Sequence, residues 1–275
     1  MPTSQNTSED TGQNGTVGIR WFDRVWASFI FFTRLPLWRL HQPPREAYRC
    51  VVEHWPLTGW LTASAMAAVL YFASLLFPYP VAILLAITTR LWLTGALHED
   101  GLADFFDGFG GGGSDRQRIL AIMKDSHIGT YGVLALTVYV GLLFATLYTM
   151  PPCYAALTVL AADPYAKMAA AQAVQMLPYA RNEETAKARV VYRKYSLAAG
   201  LSLAVQGLLP MGFYLWTMGG HVNWEIMIAM PFVVMYALYQ FIWHRLRGYT
   251  GDCCGAMFLL IELSVYLIAV VYLGG

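Results

Sequence analysis

Gly255-Ala256-Met257-Phe258-Leu259-Leu260-Ile261-Glu262-Leu263-Ser264-Val265-Tyr266-Leu267-Ile268-Ala269-Val270-Val271-Tyr272-Leu273 is apolar from end to end, with Glu262 its one charged side chain. About twenty such residues carry a helix across the hydrocarbon core of a bilayer. Lipid offers the backbone no hydrogen-bond partner, so a helix, which satisfies its own N–H and C=O groups, is the form such a run takes. Six further windows read the same way: 57–77, 79–96, 131–150, 153–177, 196–218 and 225–244. The window 153–177 is the weakest, because Asp163, Pro164 and Lys167 interrupt it. Its pattern predicts a kink at Pro164 and a charged pair turned toward protein. Trp21 to Leu40 sets Arg24, Arg34 and Arg39 among aromatic residues and reads as an interfacial helix. The sequence therefore predicts an all-α, polytopic membrane helical bundle of about seven transmembrane helices.

Composition agrees with that class. Of the 275 residues, 57% are hydrophobic and only 13% charged, against roughly 25% charged in a soluble domain. A net charge of +1 offers no clustered basic surface for nucleic acid. The cysteines, Cys50, Cys153, Cys253 and Cys254, form no CxxC pair and read as reduced, packed thiols. Residues 1–18 are polar and hold no apolar run; they read as a disordered tail and not as a secretory signal. Residues 19–275 are expected to form a single integral membrane catalytic domain.

Orientation follows from Lys and Arg. When the segments between windows are assigned alternately to two sides, one side takes Arg20, Arg24, Arg34, Arg39, Arg45 and Arg49, then Arg116, Arg118 and Lys124. It also takes Arg181, Lys187, Arg189, Arg193 and Lys194, and finally Arg245 and Arg247. The turns near Pro78, Pro151 and Gly219 and the pair Gly274-Gly275 hold neither residue. The asymmetry predicts a cytoplasmic N-terminus.

It also places on the cytoplasmic side the run Glu99-Asp100-Gly101-Leu102-Ala103-Asp104-Phe105-Phe106-Asp107-Gly108. If helical, Asp100, Asp104 and Asp107 stand at i, i+4 and i+7 on one face. Like charges that close repel, and a hard divalent cation with oxygen ligands relieves them. Further along, Lys124-Asp125-Ser126-His127 packs a cation, an acid, a hydroxyl and an imidazole together. Asp115 or Ser114 is expected to cap a short amphipathic helix from Arg116 to Lys124. Two intramembrane charges remain: Arg90, expected either to snorkel or to pair with acids or a substrate phosphate, and Glu262, a functional candidate by its position. A metal site beside cationic groups suits phosphoryl transfer, in which charge neutralisation and positioning do most of the catalysis.

Leu97-His98-Glu99-Asp100-Gly101-Leu102-Ala103-Asp104, then Asp107-Gly108, then Met123-Lys124-Asp125-Ser126 with Ile128-Gly129-Thr130-Tyr131-Gly132, resembles the cobalamin synthase family, the adenosylcobinamide-GDP ribazoletransferases. Phe32-Thr33-Arg34-Leu35-Pro36, Leu177-Pro178-Tyr179-Ala180-Arg181 and Gly248-Tyr249-Thr250-Gly251-Asp252 fit the same family, so the likeness covers nearly the whole chain beyond the tail. One departure follows Arg181, where this chain has Asn182-Glu183-Glu184 and the family has Glu-Gly. The resemblance implies a magnesium-dependent, multi-pass enzyme of a prokaryotic inner membrane, with its active site facing the cytoplasm. It implies transfer of the adenosylcobinamide phosphate moiety of adenosylcobinamide-GDP to α-ribazole or α-ribazole 5′-phosphate, giving adenosylcobalamin or its 5′-phosphate and GMP. On that reading Asp100, Asp104 and Asp107, with Glu99, hold Mg2+. Asp104, Asp107, Asp125 and His127 are the catalytic candidates, with the choice of general base open. Arg34, Arg90, Lys124, Arg181, Arg247, Tyr249 and Asp252 are the substrate-binding candidates. Membrane lipid is an expected partner, and Gly and Ala in the spans permit a homo-oligomer.

Two other readings fit the sequence less well. A CDP-alcohol phosphotransferase would carry an arginine soon after Ala103, where this chain has Asp104. A secondary transporter would use Arg90, Asp163, Lys167 and Glu262 as a coupling path and would be expected to show an internal repeat, which the sequence lacks.

Overall fold

The computed structural model describes residues 19–181 and 191–274. The tail 1–18 and the departure at Asn182-Glu183-Glu184 lie outside them. The described residues form an all-helical bundle: α1 (Trp21–Phe32), α2 (Trp55–Ser74), α3 (Tyr79–Thr94), α4 (Leu97–Gly111), α5 (Arg116–Lys124), α6 (Thr130–Thr149), α7 (Pro152–Met176), α8 (Leu197–Thr217), α9 (Trp224–Leu246) and α10 (Gly251–Leu273). A 3-10 segment, Arg45–His54, leads into α2. Asp115 accepts from the amides of Gln117 and Arg118 and so caps α5, as its sequence position predicts.

Among the described residues, five helices are long and apolar enough to cross a membrane, counting Arg45–Ser74 as one, and six if α3 and α4 form one broken span. Of the seven predicted windows, 79–96 enters that set only as part of the broken α3–α4 pair, and the one that became α7 is missing from it altogether. The alanines of α7 and its Asp163–Lys167 pair dilute its hydropathy, and the physical reason it tolerates them is burial. Asp163 and Lys167 are each 1% exposed and form an ion pair at 2.6 Å. Thr62 of α2 donates to Asp163 and accepts from Lys167. The pair therefore faces protein, as expected. α7 is a single helix through Pro164, and Gly59 gives the close approach there: a β-carbon at 59 would stand 3.0 Å from Pro164 Cα.

The helices run between two ends. At one, Tyr79 of α3 donates its hydroxyl to the carbonyls of Leu147 and Met150 at the end of α6. At the other, the end of α1 meets the end of α3, where Arg34 N–H donates to Leu93 O. The stretch after α7 pairs there with the stretch after α9 through Tyr179 and Tyr249. The stretch before α8 reaches the segment before α2, where Arg193 N–H donates to Arg49 O. Every predicted basic segment in the described residues converges on this second end.

There the chain also turns sharply. Gly95 and Ala96 both adopt left-handed φ, +65° and +54°. Only glycine does so without steric cost. The consequence is that α4 leaves α3 at 89°, so the acidic helix lies across the end of the bundle and does not extend a span.

Candidate active site

α4 and α10 approach almost backbone to backbone, because glycines face each other. A β-carbon at Gly101 would lie 3.2 Å from Asp252 Cα, and one at Gly255 would lie 3.3 Å from His98 O. This explains why a helix-weakening glycine sits in the acidic run. It brings the first turn of α4, with Asp100, against the first turn of α10, with Asp252. Thr250 caps α10 by accepting from Cys253 N–H, and its hydroxyl lies 3.3 Å from Asp252 Oδ2.

Asp100 and Asp252 line one cleft of about 130 Å³. Arg181, from the stretch after α7, lines it as well, and is held there by donating to Leu120 O at 3.0 Å. The remaining walls are mostly aromatic: Phe31 and Phe32 from α1, Trp55 from α2, His98 from α4, then Tyr179 and Tyr192. Burial pushes the Tyr179 phenol up to about 12 and the Tyr192 phenol well above its ordinary range, so both stay protonated. Two carboxylates and one guanidinium stand at the rim of a mostly aromatic slot.

A family model described as cobalamin-5-phosphate synthase matches residues 24–270 of this chain. The chain belongs to the cobalamin-5-phosphate synthase family. Among its relatives, a Leptothrix cholodnii protein is 36% identical over 86% of this chain and 90% of its own length. A Vibrio vulnificus protein is 35% identical over 87% and 92%. A Leptospira interrogans protein is 30% identical over 90% and 94%. All three are named adenosylcobinamide-GDP ribazoletransferase. No solved structure matches the chain.

Within this chain the predicted acidic quartet does not stay together. Asp100 is exposed at the cleft and Asp104 is half-buried one turn on. Asp107 is 7% exposed, and its two oxygens accept from Gly129 N–H at 2.7 Å and Gly132 N–H at 2.9 Å. It thus anchors the N-terminus of α6 from outside, where a helix presents unsatisfied amides. Seven residues at 1.5 Å rise separate Asp100 from Asp107 by about 10 Å along the axis, too far for one ion to bridge. Glu99 turns away, buried, with Oε1 3.7 Å from Arg90. Among the described residues, no three His, Cys, Asp or Glu side chains are grouped to cage a metal.

The predicted cations are also dispersed. Arg90 is 3% exposed and belongs to a buried network between α3, α6 and α10. Its Nη1 donates to both oxygens of Glu262 at 2.7 and 2.8 Å, and its Nη2 to Tyr139 at 2.7 Å. Tyr266 completes the network by donating to Glu262. Neither snorkelling nor a phosphate contact describes Arg90, because its guanidinium is already engaged by Glu262, a residue 172 positions away. Arg34 is exposed beside Gly95, Lys124 is exposed at the end of α5, and Arg247 lies over the Trp243 ring; none of the three lines the cleft. Tyr249 is buried and packs on Tyr179 and Tyr192, which do line it. Asp125 and His127 pair at 2.7 Å, both well exposed and outside the cleft walls. The His127 hydrogen bond holds the Asp125 carboxyl below its ordinary range. Sequence reasoning gave no role to Phe31, Phe32, Trp55, His98 or Tyr192, since apolar and aromatic residues are ubiquitous in such a chain.

Proposed function

We propose that this chain is a transferase joining the adenosylcobinamide phosphate moiety of adenosylcobinamide-GDP to α-ribazole or its 5′-phosphate, with release of GMP. The observation that carries the reading is the meeting of Asp100, Asp252 and Arg181 in one cleft, from α4, α10 and the stretch after α7. The family and the relatives' names supply the substrates.

A ribose hydroxyl of the acceptor attacks the corrinoid-side phosphorus of the diphosphate. A rim carboxylate, Asp100 or its neighbour Asp104, takes the hydroxyl proton. The bond from that phosphorus to the bridging oxygen breaks, and GMP departs with the electron pair. Arg181 offers a planar fork of donors suited to diphosphate oxygens.

Magnesium fits this donor set. In phosphate-handling sites it takes one or two carboxylates and completes its shell with water and phosphate oxygens. Asp100 and Asp252 would hold it, with Asp104 one turn away. Asp107 is held by the amides of α6; Glu99 lies buried 3.7 Å from Arg90, with its Oε2 unpaired among the described residues. The ion, when bound, neutralises diphosphate charge.

The basic segments gathered at the cleft's end support a cytoplasm-facing site in a prokaryotic inner membrane. Exposed apolar side chains such as Leu201, Val205, Phe213 and Val233 suit acyl chains, and the small residues of the spans permit a homo-oligomer. The test is GMP release from adenosylcobinamide-GDP by the purified chain. Release that needs both α-ribazole and magnesium supports the reading; release independent of acceptor, or none, overturns it.

A further inference from the structure

The cleft's interior is unlike its rim. Phe32 and Trp55 lie 5.2 Å apart at 14°, Phe32 and His98 6.0 Å at 13°, and Trp55 and His98 5.8 Å at 23°. Three rings from α1, α2 and α4 are thus held nearly parallel. Offset-parallel rings are a favoured aromatic arrangement and define the plane in which another flat ring can join. Two of them carry an unanswered polar atom: Trp55 Nε1 and His98 Nε2 are buried with no hydrogen-bond partner among the described residues. Buried polar groups in natural interiors are mostly satisfied, and both of these belong to rings that line the cleft. The stack is well braced, since Phe258 packs against both Trp55 and His98.

Size narrows the occupant. A cavity of ~150 Å³ takes benzene, so a cleft of about 130 Å³ that includes the open rim encloses one six-membered ring, with the rest of a fused base reaching toward the rim, and excludes a corrin macrocycle. Chemistry narrows it further. Guanine carries polar groups along most of its edge, and burying them against Phe31, Phe32 and Trp55 would leave several unpaired. A benzimidazole nucleoside bonded to its sugar through one ring nitrogen keeps a single polar atom, the other nitrogen, on an otherwise apolar body.

We propose that the slot formed by Phe32, Trp55 and His98 is the base-binding subsite for the aromatic base of the acceptor nucleoside. This rests on the function proposed above. It explains the layout: a base seated against the cleft-facing side of the rings leaves its ribose at the rim, where Asp100, Asp252 and Arg181 stand. The subsite sets acceptor specificity, and the diphosphate donor binds outside it.

The test uses the full chain purified in detergent and 5,6-dimethylbenzimidazole, the base without its sugar, as probe. In equilibrium dialysis without donor, the base should bind saturably. Trp55→Leu and Phe32→Leu should each weaken binding on the order of tenfold, and Trp55→Phe should restore most of it. In turnover, the same leucine variants should raise KM for α-ribazole and leave KM for adenosylcobinamide-GDP unchanged. The free base should compete with α-ribazole. That competition on the unaltered chain remains decisive if a leucine variant fails to fold. Absence of saturable binding, equal binding by Trp55→Leu that has folded, or displacement of the base by guanosine overturns the assignment. Absence of GMP release under all conditions overturns the transferase reading, while base binding still decides the slot.

Discussion

Asp107 separates two accounts of the acidic helix most sharply. As a metal ligand its loss would raise the magnesium needed for turnover; as the anchor of α6 its loss would loosen the fold. Both oxygens are engaged, by Gly129 N–H and Gly132 N–H. A hydrogen bond to a charged acceptor contributes about 1.5–3 kcal/mol. Asp107→Asn keeps one acceptor but turns an NH2 group toward the second amide and removes the charge that favours a helix N-terminus. The expected cost is about 3 kcal/mol, a fall in Tm of roughly 6–12 °C for a chain of this size. Gly132→Ala should reproduce the loss without touching an acid, because a β-carbon at 132 would collide with the Asp107 carboxylate. The assay pairs thermal unfolding in detergent with a magnesium titration of GMP release, run at a temperature where each variant is folded. Lower Tm with an unchanged half-saturating magnesium concentration is expected for both variants. Unchanged Tm with a raised magnesium requirement in Asp107→Asn would refute the anchoring role.

Other outcomes follow from the same contacts. Glu262→Leu leaves the buried Arg90 guanidinium with only the longer Glu99 contact at 3.7 Å as an ion pair and should cost about 3–5 kcal/mol; adding Arg90→Met should recover part of that, and a double variant no more stable than the single one would contradict the pairing. His127→Ala should spare turnover, because the Asp125–His127 pair is exposed and outside the cleft; a roughly 10²–10⁴-fold loss, the contribution of a general base, would reinstate it. The same substitution should let the Asp125 carboxyl rise toward its ordinary pKa. Because that carboxyl is lowered in the folded chain, its small stabilising effect is present above the unfolded value and lost as pH falls through the folded one. A titration of the unaltered chain in which acid strengthened the fold over that interval would reverse the sign.

Much of the fold was legible because lipid imposes a strict rule on backbone hydrogen bonds. The windows 131–150 and 225–244 lie close to α6 and α9, and the Lys and Arg segments meet at one end of the bundle. The acidic helix was legible as a helix, and Asp115 as its neighbour's cap. Partners were not. Nothing local in Arg90 points to Glu262, and nothing in Asp107 distinguishes an ion from two amides of α6. Those choices are made by packing between segments far apart in the chain. The 89° turn is invisible in hydropathy for a related reason: Gly95 and Ala96 sit where an apolar run simply ends. The aromatic slot is least visible of all, since Phe32, Trp55 and His98 come from three helices and differ in no way, as residue types, from the many aromatics that face lipid.

The most direct measurement is GMP release by Asp100→Asn, set beside the unaltered chain at equal thermal stability. With Asp100 at the rim proposed to gather donor, acceptor and cation, transfer should be lost while adenosylcobinamide-GDP still binds. An Asp100→Asn variant that folds normally and releases GMP at the original rate would contradict the assignment of this cleft as the reaction centre.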